Sequence, residues 1–262
     1  MMDGIEVIFL GTGTSAGVPM IGCHCEVCES SDPHDKRMRP SVVLRYRGVN
    51  VLVDTSPELR LQCVANRIDH IESVVYTHAH ADHIMGLDDL RRFNVARNGP
   101  LDVWATEVTH RSLDKCFGYA FVEPDPSSKL FRPHLERRFI EGPFEVAGAK
   151  WTPVPLLHGA MEVLGFRVGR VAYCTDVSQI PERSYSLLED LDVLVLDALQ
   201  KKKHTTHFSL EEAVEAARRI RARQTWFTHI AHGLSHEATN AELPDGMRLA
   251  HDGLVVSGRL DG

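Results

Sequence analysis

The chain has 262 residues, 43% apolar and 25% charged, a balance that excludes disordered and collagen-like chains. A compact chain of this size hides roughly three quarters of its unfolded surface, so a core can form without disulfide staples. The formal charge of −7 argues against a broad nucleic-acid footprint, and no apolar run is long enough to span a bilayer.

The N-terminal segment opens with a strand-like run, Ile5 to Leu10, but carries Asp3 and Glu6 where a secretory signal wants positive charge. The expected location is therefore cytoplasmic. Gly11-Thr-Gly-Thr-Ser-Ala-Gly17 follows, with GxGxxxG spacing that does not suit a dinucleotide fold, and it reads as a tight turn at the mouth of a site.

Cys23-His-Cys-Glu-Val-Cys28 comes next. In a reducing compartment three cysteines within six positions point to metal rather than disulfides, and tetrahedral zinc still needs one further ligand. His24, His34, His232 and His236 are the histidines that could supply it. The remaining cysteines, Cys63, Cys116 and Cys174, read as core residues.

Strands are predicted over Ser41 to Tyr46 and Val49 to Val53, the second ending at Asp54. A further run, Ser73 to Tyr76, leads into Thr77-His-Ala-His-Ala-Asp-His83. Three histidines and a carboxylate fanned out at a strand end suit borderline divalent metals such as zinc, manganese or iron. Asp54 is either a turn residue or a buried acceptor that orients a ligand histidine through its second ring N–H.

Helices are expected over Asp88 to Ala96, which carries Arg91 and Arg92, and over Glu107 to Tyr119, with a strand at Leu101 to Ala105 between them. The Pro-rich stretch Val122 to Pro133 reads as a surface loop that could also cover a site as a lid.

In the second half, strands are expected at Trp151 to Leu156, Val163 to Val168, Val171 to Cys174, Val193 to Leu196, Trp226 to His229 and Leu254 to Ser257. His158, Asp176 and His229 each lie at or just beyond the end of one of them. Lys201-Lys-Lys-His204 reads as a solvated face. His207 follows, and Ser209-Leu-Glu-Glu212 is a capping box opening a helix with apolar residues at Leu210, Ala213, Val214, Ala217 and Ile220. The mixture of strands and helices predicts an α/β protein, with no linker or repeat dividing residues 1–262.

The HxHxDH run, with Asp54, His158, Asp176 and His229 in order behind it, resembles the metallo-β-lactamase superfamily. The resemblance implies a four-layer αβ/βα sandwich with two divalent cations, zinc or manganese, at one edge. It assigns His78, His80 and His158 to one ion and Asp82, His83 and His229 to the other, with Asp176 between them. A pair of such ions would make hydroxide available near neutral pH and neutralise charge on a phosphoryl or carbonyl oxygen.

His207 stands close to where the phosphodiesterase branches of that superfamily place a histidine. It is the candidate acid for the leaving alkoxide, with His204 second; Asp82 counts among the catalytic candidates as well as the ligands. Cys23, Cys25, Cys28 and His232 resemble the structural zinc site of the branch that hydrolyses phosphoribosyl cyclic phosphate in phosphonate breakdown. The expected substrate is accordingly a small cyclic or simple phosphodiester, with Arg91, Arg92 and Arg39 as candidate phosphate contacts and a homodimer left open. Three other branches are similar: tRNA 3′-processing endonucleases, thioesterases or lactonases, and a non-hydrolytic branch associated with pyrroloquinoline quinone synthesis. The interval between His158 and Asp176 is too short for the endonucleases' tRNA-gripping arm.

Overall fold

Apolar residues fall at consecutive positions along many strands because each sheet is covered on both faces. The computed structural model describes residues 4–123 and 131–260. The strands, in chain order, are β1 (Gly4–Gly11), β2 (Ser41–Tyr46), β3 (Val49–Val53), β4 (Ser73–Val75), β5 (Leu101–Ala105), β6 (Leu135–Phe139), β7 (Phe144–Val146), β8 (Ala149–His158), β9 (Met161–Val168), β10 (Val171–Cys174), β11 (Val193–Asp197), β12 (Gln224–Thr228), β13 (Met247–Leu249) and β14 (Val255–Arg259). They form two seven-stranded sheets, ordered β14-β1-β2-β3-β4-β5-β6 and β13-β12-β11-β10-β9-β8-β7. Within them β3 through β6 and β10 through β13 run parallel.

Period-two alternation divides the side chains among three apolar layers. Ile5, Val7 and Phe9 of β1 meet Trp151, Phe166, Val193 and Val195 between the sheets. Ile8 and Leu10 point the other way, toward Leu59, Phe93 and Leu113 on the helices α2 (Leu59–Ala65), α4 (Arg91–Arg97) and α5 (Glu107–Phe117). Leu194 and Leu196 of β11 face Ala213, Ala217 and Ile220 of the long helix that follows it. Three layers of core between four layers of structure make the αβ/βα sandwich. Phe166 is fully buried between the sheets, and Phe166→Ala would cost about 3–5 kcal/mol. A polar pin crosses the same layer: the Trp151 indole N–H donates to the Tyr46 hydroxyl at 2.9 Å, which donates to the Val146 carbonyl at 2.8 Å.

Shorter helices complete the set: α1 (Glu26–Glu29), α3 (Ala81–Ile84), α6 (Glu182–Tyr185) and α8 (His236–Glu242), with α7 (Leu210–Ile220) the capped helix. At its start the Ser209 hydroxyl accepts from the Glu212 N–H, and the Glu212 carboxylate accepts from the Ser209 N–H at 3.0 Å. Removing the cap hydroxyl would cost about 1 kcal/mol. Among the described residues no helix is long and apolar enough to cross a membrane.

Strands β6, β7 and β13 were not expected from the sequence. β6 reads Leu-Glu-Arg-Arg-Phe, a charged composition that suits the edge of a sheet but hides the strand from an apolar-pattern search. The other two are three residues long. The last strand before His229 ends at Thr228 rather than at the histidine itself. The helix expected over Asp88 to Ala96 is a 3-10 turn at Leu87–Leu90 running into α4. Residues 124–130 of the Pro-rich stretch lie outside the described residues.

Candidate metal centre

The carboxyl ends of parallel strands in both sheets open at one edge of the sandwich, where the strand order leaves loops free to carry function. From the first sheet, the segment after β4 brings His78 and His80, and the single turn of α3 adds Asp82 and His83. From the second, His158 is the last residue of β8, while Asp176 and His229 follow β10 and β12. Asp54, Asp176 and His229 all have left-handed backbones, with φ of 62°, 57° and 60°. For residues with a Cβ that conformation costs of order 1 kcal/mol each and persists only where the surroundings enforce it.

These side chains converge. One ring nitrogen from each of His78, His80 and His158 and one Asp176 oxygen lie within 4.8 Å of one another, and the same holds for Asp82, His83 and His229. Asp176 stands between the groups: Oδ1 is 3.9 Å from His78 Nε2, 4.0 Å from His158 Nε2 and 3.4 Å from His229 Nε2, and Oδ2 is 3.1 Å from His83 Nε2. Asp82 Oδ2 is 3.5 Å from both His83 Nε2 and His229 Nε2. His80 is the exposed member; the others are buried.

Several histidines are turned inward by a bond at the opposite ring nitrogen. Asp54 is fully buried and accepts from the Thr77 N–H, the Thr77 hydroxyl and the His83 Nδ1–H, at 2.8, 2.8 and 2.7 Å. With its proton committed to Asp54, the Thr77 hydroxyl accepts from His78 Nδ1 at 2.9 Å. The Thr206 carbonyl accepts from His158 Nδ1 at 2.7 Å. Each arrangement leaves Nε2 facing the centre, as ligand histidines require. Of the two roles considered for Asp54, the geometry is that of the orienting acceptor.

The buried nitrogens His78 Nε2, His83 Nε2, His229 Nδ1 and His229 Nε2 have no hydrogen-bond partner among the described residues. Orphaned buried polar atoms are costly, and here all four come from three imidazoles grouped around carboxylates. The electrostatics are correspondingly frustrated. Burial, with His83 close by, holds His78 well below the ordinary imidazole range. Burial also opposes charge on His83 and His229, but Asp176, with Asp54 or Asp82, outweighs it, raising His83 well above that range and His229 to about 9. Against burial, the same imidazoles keep Asp176 and Asp82 well below the usual carboxylate range. Divalent cations fit this donor set, because they pair the free nitrogens and the carboxylates together.

His207 stands beside this cluster, its ring stacked on His229 with centroids 4.6 Å apart and its Nε2 4.0 Å from Asp176 Oδ1. Its Nδ1–H donates to Asp197 Oδ2 at 2.7 Å, and the same oxygen accepts from the Val177 N–H. Asp197, the last residue of β11, was missed from sequence. Its signal was available: like Asp54, it is an aspartate closing an apolar strand.

A second cluster forms where the N-terminal loop meets the turn after β12. Cys23, Cys25, Cys28 and His232 bring their donor atoms within 4.8 Å of one another, with His232 Nδ1 3.2 Å from both Cys23 Sγ and Cys25 Sγ. The Cys28 N–H and His232 draw the Cys25 thiol down to about 6, while burial pushes Cys28 up to about 11. Of the other histidines considered, His24 is exposed and bonds Glu29, and the His34 ring packs at a tilt against those of His236 and His251. A Cys3His set of this kind fits tetrahedral zinc.

Arg91 pairs with Asp88 at 2.6 Å, Arg92 lines an outer cavity of about 400 Å³ beside α2, and Arg39 pairs with Glu58. His204 lies on the exposed surface, 5.4 Å from His207 between ring centroids. Lys201 and Lys203 pair with Glu242 and Glu212.

Comparison with known proteins agrees with this geometry. The family described as the beta-lactamase superfamily domain matches residues 49–230, and the chain belongs to it. The family is one of metal-dependent hydrolases with the metallo-β-lactamase fold. A crystal structure of a diphosphatase from the PhnP family is 45% identical over the whole of both chains, with a TM-score of 0.93. An octanoyltransferase of Porphyromonas gingivalis is 34% identical over 95% of this chain, which spans about half (51%) of that protein's length. Coenzyme PQQ synthesis protein B of Methylorubrum extorquens is 30% identical, covering 74% of this chain and 72% of its own.

Proposed function

We propose that the chain is a dinuclear metal-dependent phosphodiesterase acting on a small cyclic or simple phosphodiester. The observation that carries the reading is the buried Asp176 carboxylate set between two groups of imidazoles, with the His207–Asp197 pair beside it. His78, His80 and His158 would hold one ion, Asp82, His83 and His229 the other, and Asp176 both; zinc and manganese each suit the donors. When bound, such a pair supplies hydroxide near neutral pH and offsets negative charge on the phosphoryl oxygens.

The chain's own groups do the rest. Asp54, Thr77 and Thr206 aim the ligand nitrogens. Asp197 takes the Nδ1–H of His207, so Nε2 is the atom that faces the centre and can hand a proton to the departing alkoxide. The Cys3His cluster would hold a structural zinc that ties the N-terminal loop to the turn carrying His229, with no part in bond breaking.

A second reading, a phosphoanhydride substrate, draws on the likeness to the PhnP-family diphosphatase. One preparation with its metal quantified, assayed against bis(p-nitrophenyl) phosphate, cyclic phosphodiesters and linear diphosphate esters, separates the two. Turnover of the diesters is the expected result. Cleavage confined to diphosphates would favour the second reading, and no turnover by metal-loaded protein would sink both.

A further inference from the structure

His229 differs from the buried histidines around it in one respect. His78, His83, His158 and His207 each have Nδ1 anchored by a hydrogen bond, whereas both ring nitrogens of His229 are buried and without one. A ligand histidine normally has its ring set through the second nitrogen. Here the position must come from the backbone, which is left-handed at this residue and is held on both sides.

On one side the Thr228 carbonyl accepts from the Ala198 N–H at 3.0 Å. On the other, the Ile230 N–H donates to the Thr12 carbonyl at 2.8 Å, and the Ile230 carbonyl accepts from the Thr14 N–H at 3.1 Å. The glycine-rich turn is thus a bridge partner of the residue after His229. Its glycines serve a second close fit, against the Arg37–Arg39 segment: a Cβ on Gly11 would lie 2.0 Å from the Arg39 carbonyl oxygen, and one on Gly13 would lie 2.8 Å from that of Arg37.

The turn is itself pinned by one side chain. Asp252, in the loop after β13, accepts from the Thr12 N–H at 2.9 Å and the Thr12 hydroxyl at 2.7 Å through Oδ1, and from the Met38 N–H at 2.7 Å through Oδ2. These three donors converge on a carboxylate taken out of water, and no neutral side chain of the same shape can accept from all of them.

We propose that Asp252 is a positioning residue for the metal centre, fixing His229 through the backbone of Thr12 and Ile230. This rests on His229 being a metal ligand, as proposed above. In Asp252→Asn the amide must set its NH2 against either the Thr12 or the Met38 N–H, and the turn loses its register. Thr12→Val removes only the hydroxyl bond and tests the same link with a milder change.

The test is metal affinity of the holoenzyme, measured by chelator competition on zinc-loaded protein, with cobalt substitution to tell the sites apart. Thiolate-to-cobalt charge transfer reports the cysteine cluster; the visible ligand-field bands that remain after the thiolate site's own contribution is subtracted report the histidine and carboxylate sites. Asp252→Asn is expected to weaken one active-site ion by about 10- to 100-fold, the scale for losing an orienting partner, while the other active-site ion and the cysteine cluster keep theirs. Thr12→Val should weaken the same ion by less. Unchanged affinity in both variants, or parallel loss from every site as simple unfolding would give, overturns the proposal. His229→Ala is the control: if it leaves both active-site ions at wild-type affinity, the ligand assignment of His229 fails, and the positioning role fails with it.

Discussion

The two clusters of donor atoms are built on opposite plans. The histidine and aspartate centre is drawn from loops of both sheets, is mostly buried, and rests on a further layer of acceptors: Asp54, Thr77, Thr206 and Asp197. The cysteine cluster takes three of its four donors from one short segment running into α1, leaves Cys23, Cys25 and His232 partly exposed, and contains no carboxylate. Mixed nitrogen and oxygen donors leave cations able to polarise a substrate, whereas a closed thiolate set saturates zinc and holds chain segments together. The difference separates chemistry from stapling, and it can be attacked experimentally from either side.

The largest expected effect is that of Asp176→Ala, which removes the carboxylate shared by both groups. Bound active-site metal and turnover should fall together, the rate by about 10³-fold or more, on the scale of losing a major electrostatic contributor. Metal analysis of the variant alongside its kinetics checks this, and full metal occupancy with normal rates would remove Asp176 from the centre. Next come His207→Ala and Asp197→Asn. Both should keep the metals and slow esters with alkoxide leaving groups by about 10²-fold or more, with nitrophenyl esters much less affected. Equal slowing of the two ester types would take His207 out of the acid role.

A smaller effect is set by proton linkage. In the metal-free protein His83 is raised well above the ordinary range and His229 to about 9, so both carry protons at pH 7, and cations must displace them. Metal uptake should therefore release protons at pH 7 and tighten as pH rises toward about 9. Calorimetry in buffers of different ionisation enthalpy measures the release; an uptake independent of buffer would contradict the assignment. Last, Cys25→Ser should leave kcat within about twofold while lowering Tm by on the order of 5–10 °C, as expected if a few kcal/mol of metal-linked stability are lost. An unchanged melting temperature with normal zinc content would end the stapling role.

The sequence made the strand-borne part of this legible. Apolar runs mark β11 (Val-Leu-Val-Leu), β10 (Val-Ala-Tyr-Cys) and the end of β3 (Val-Leu-Val), and the histidine-rich segment after β4 announces itself by density alone. What stayed hidden depends on three-dimensional neighbours. Asp197 ends its strand in the same way as Asp54, but nothing in the spacing reveals that a histidine ten residues on turns back to meet it. Strand β6 is masked by charges that only an edge position tolerates. Asp252 and Thr12 lie 240 positions apart and meet because β14 closes onto β1 while the loop after β13 returns beside it.

The seam between the two sheets runs through the middle of the histidine and aspartate centre. His78, His80, Asp82 and His83 belong to the leading half of the chain, and His158, Asp176, His207 and His229 to the trailing half, so neither half owns a complete set. Bound ions would then behave as rivets across the join, and separately produced fragments should reassemble more readily on a metal template than in a chelator.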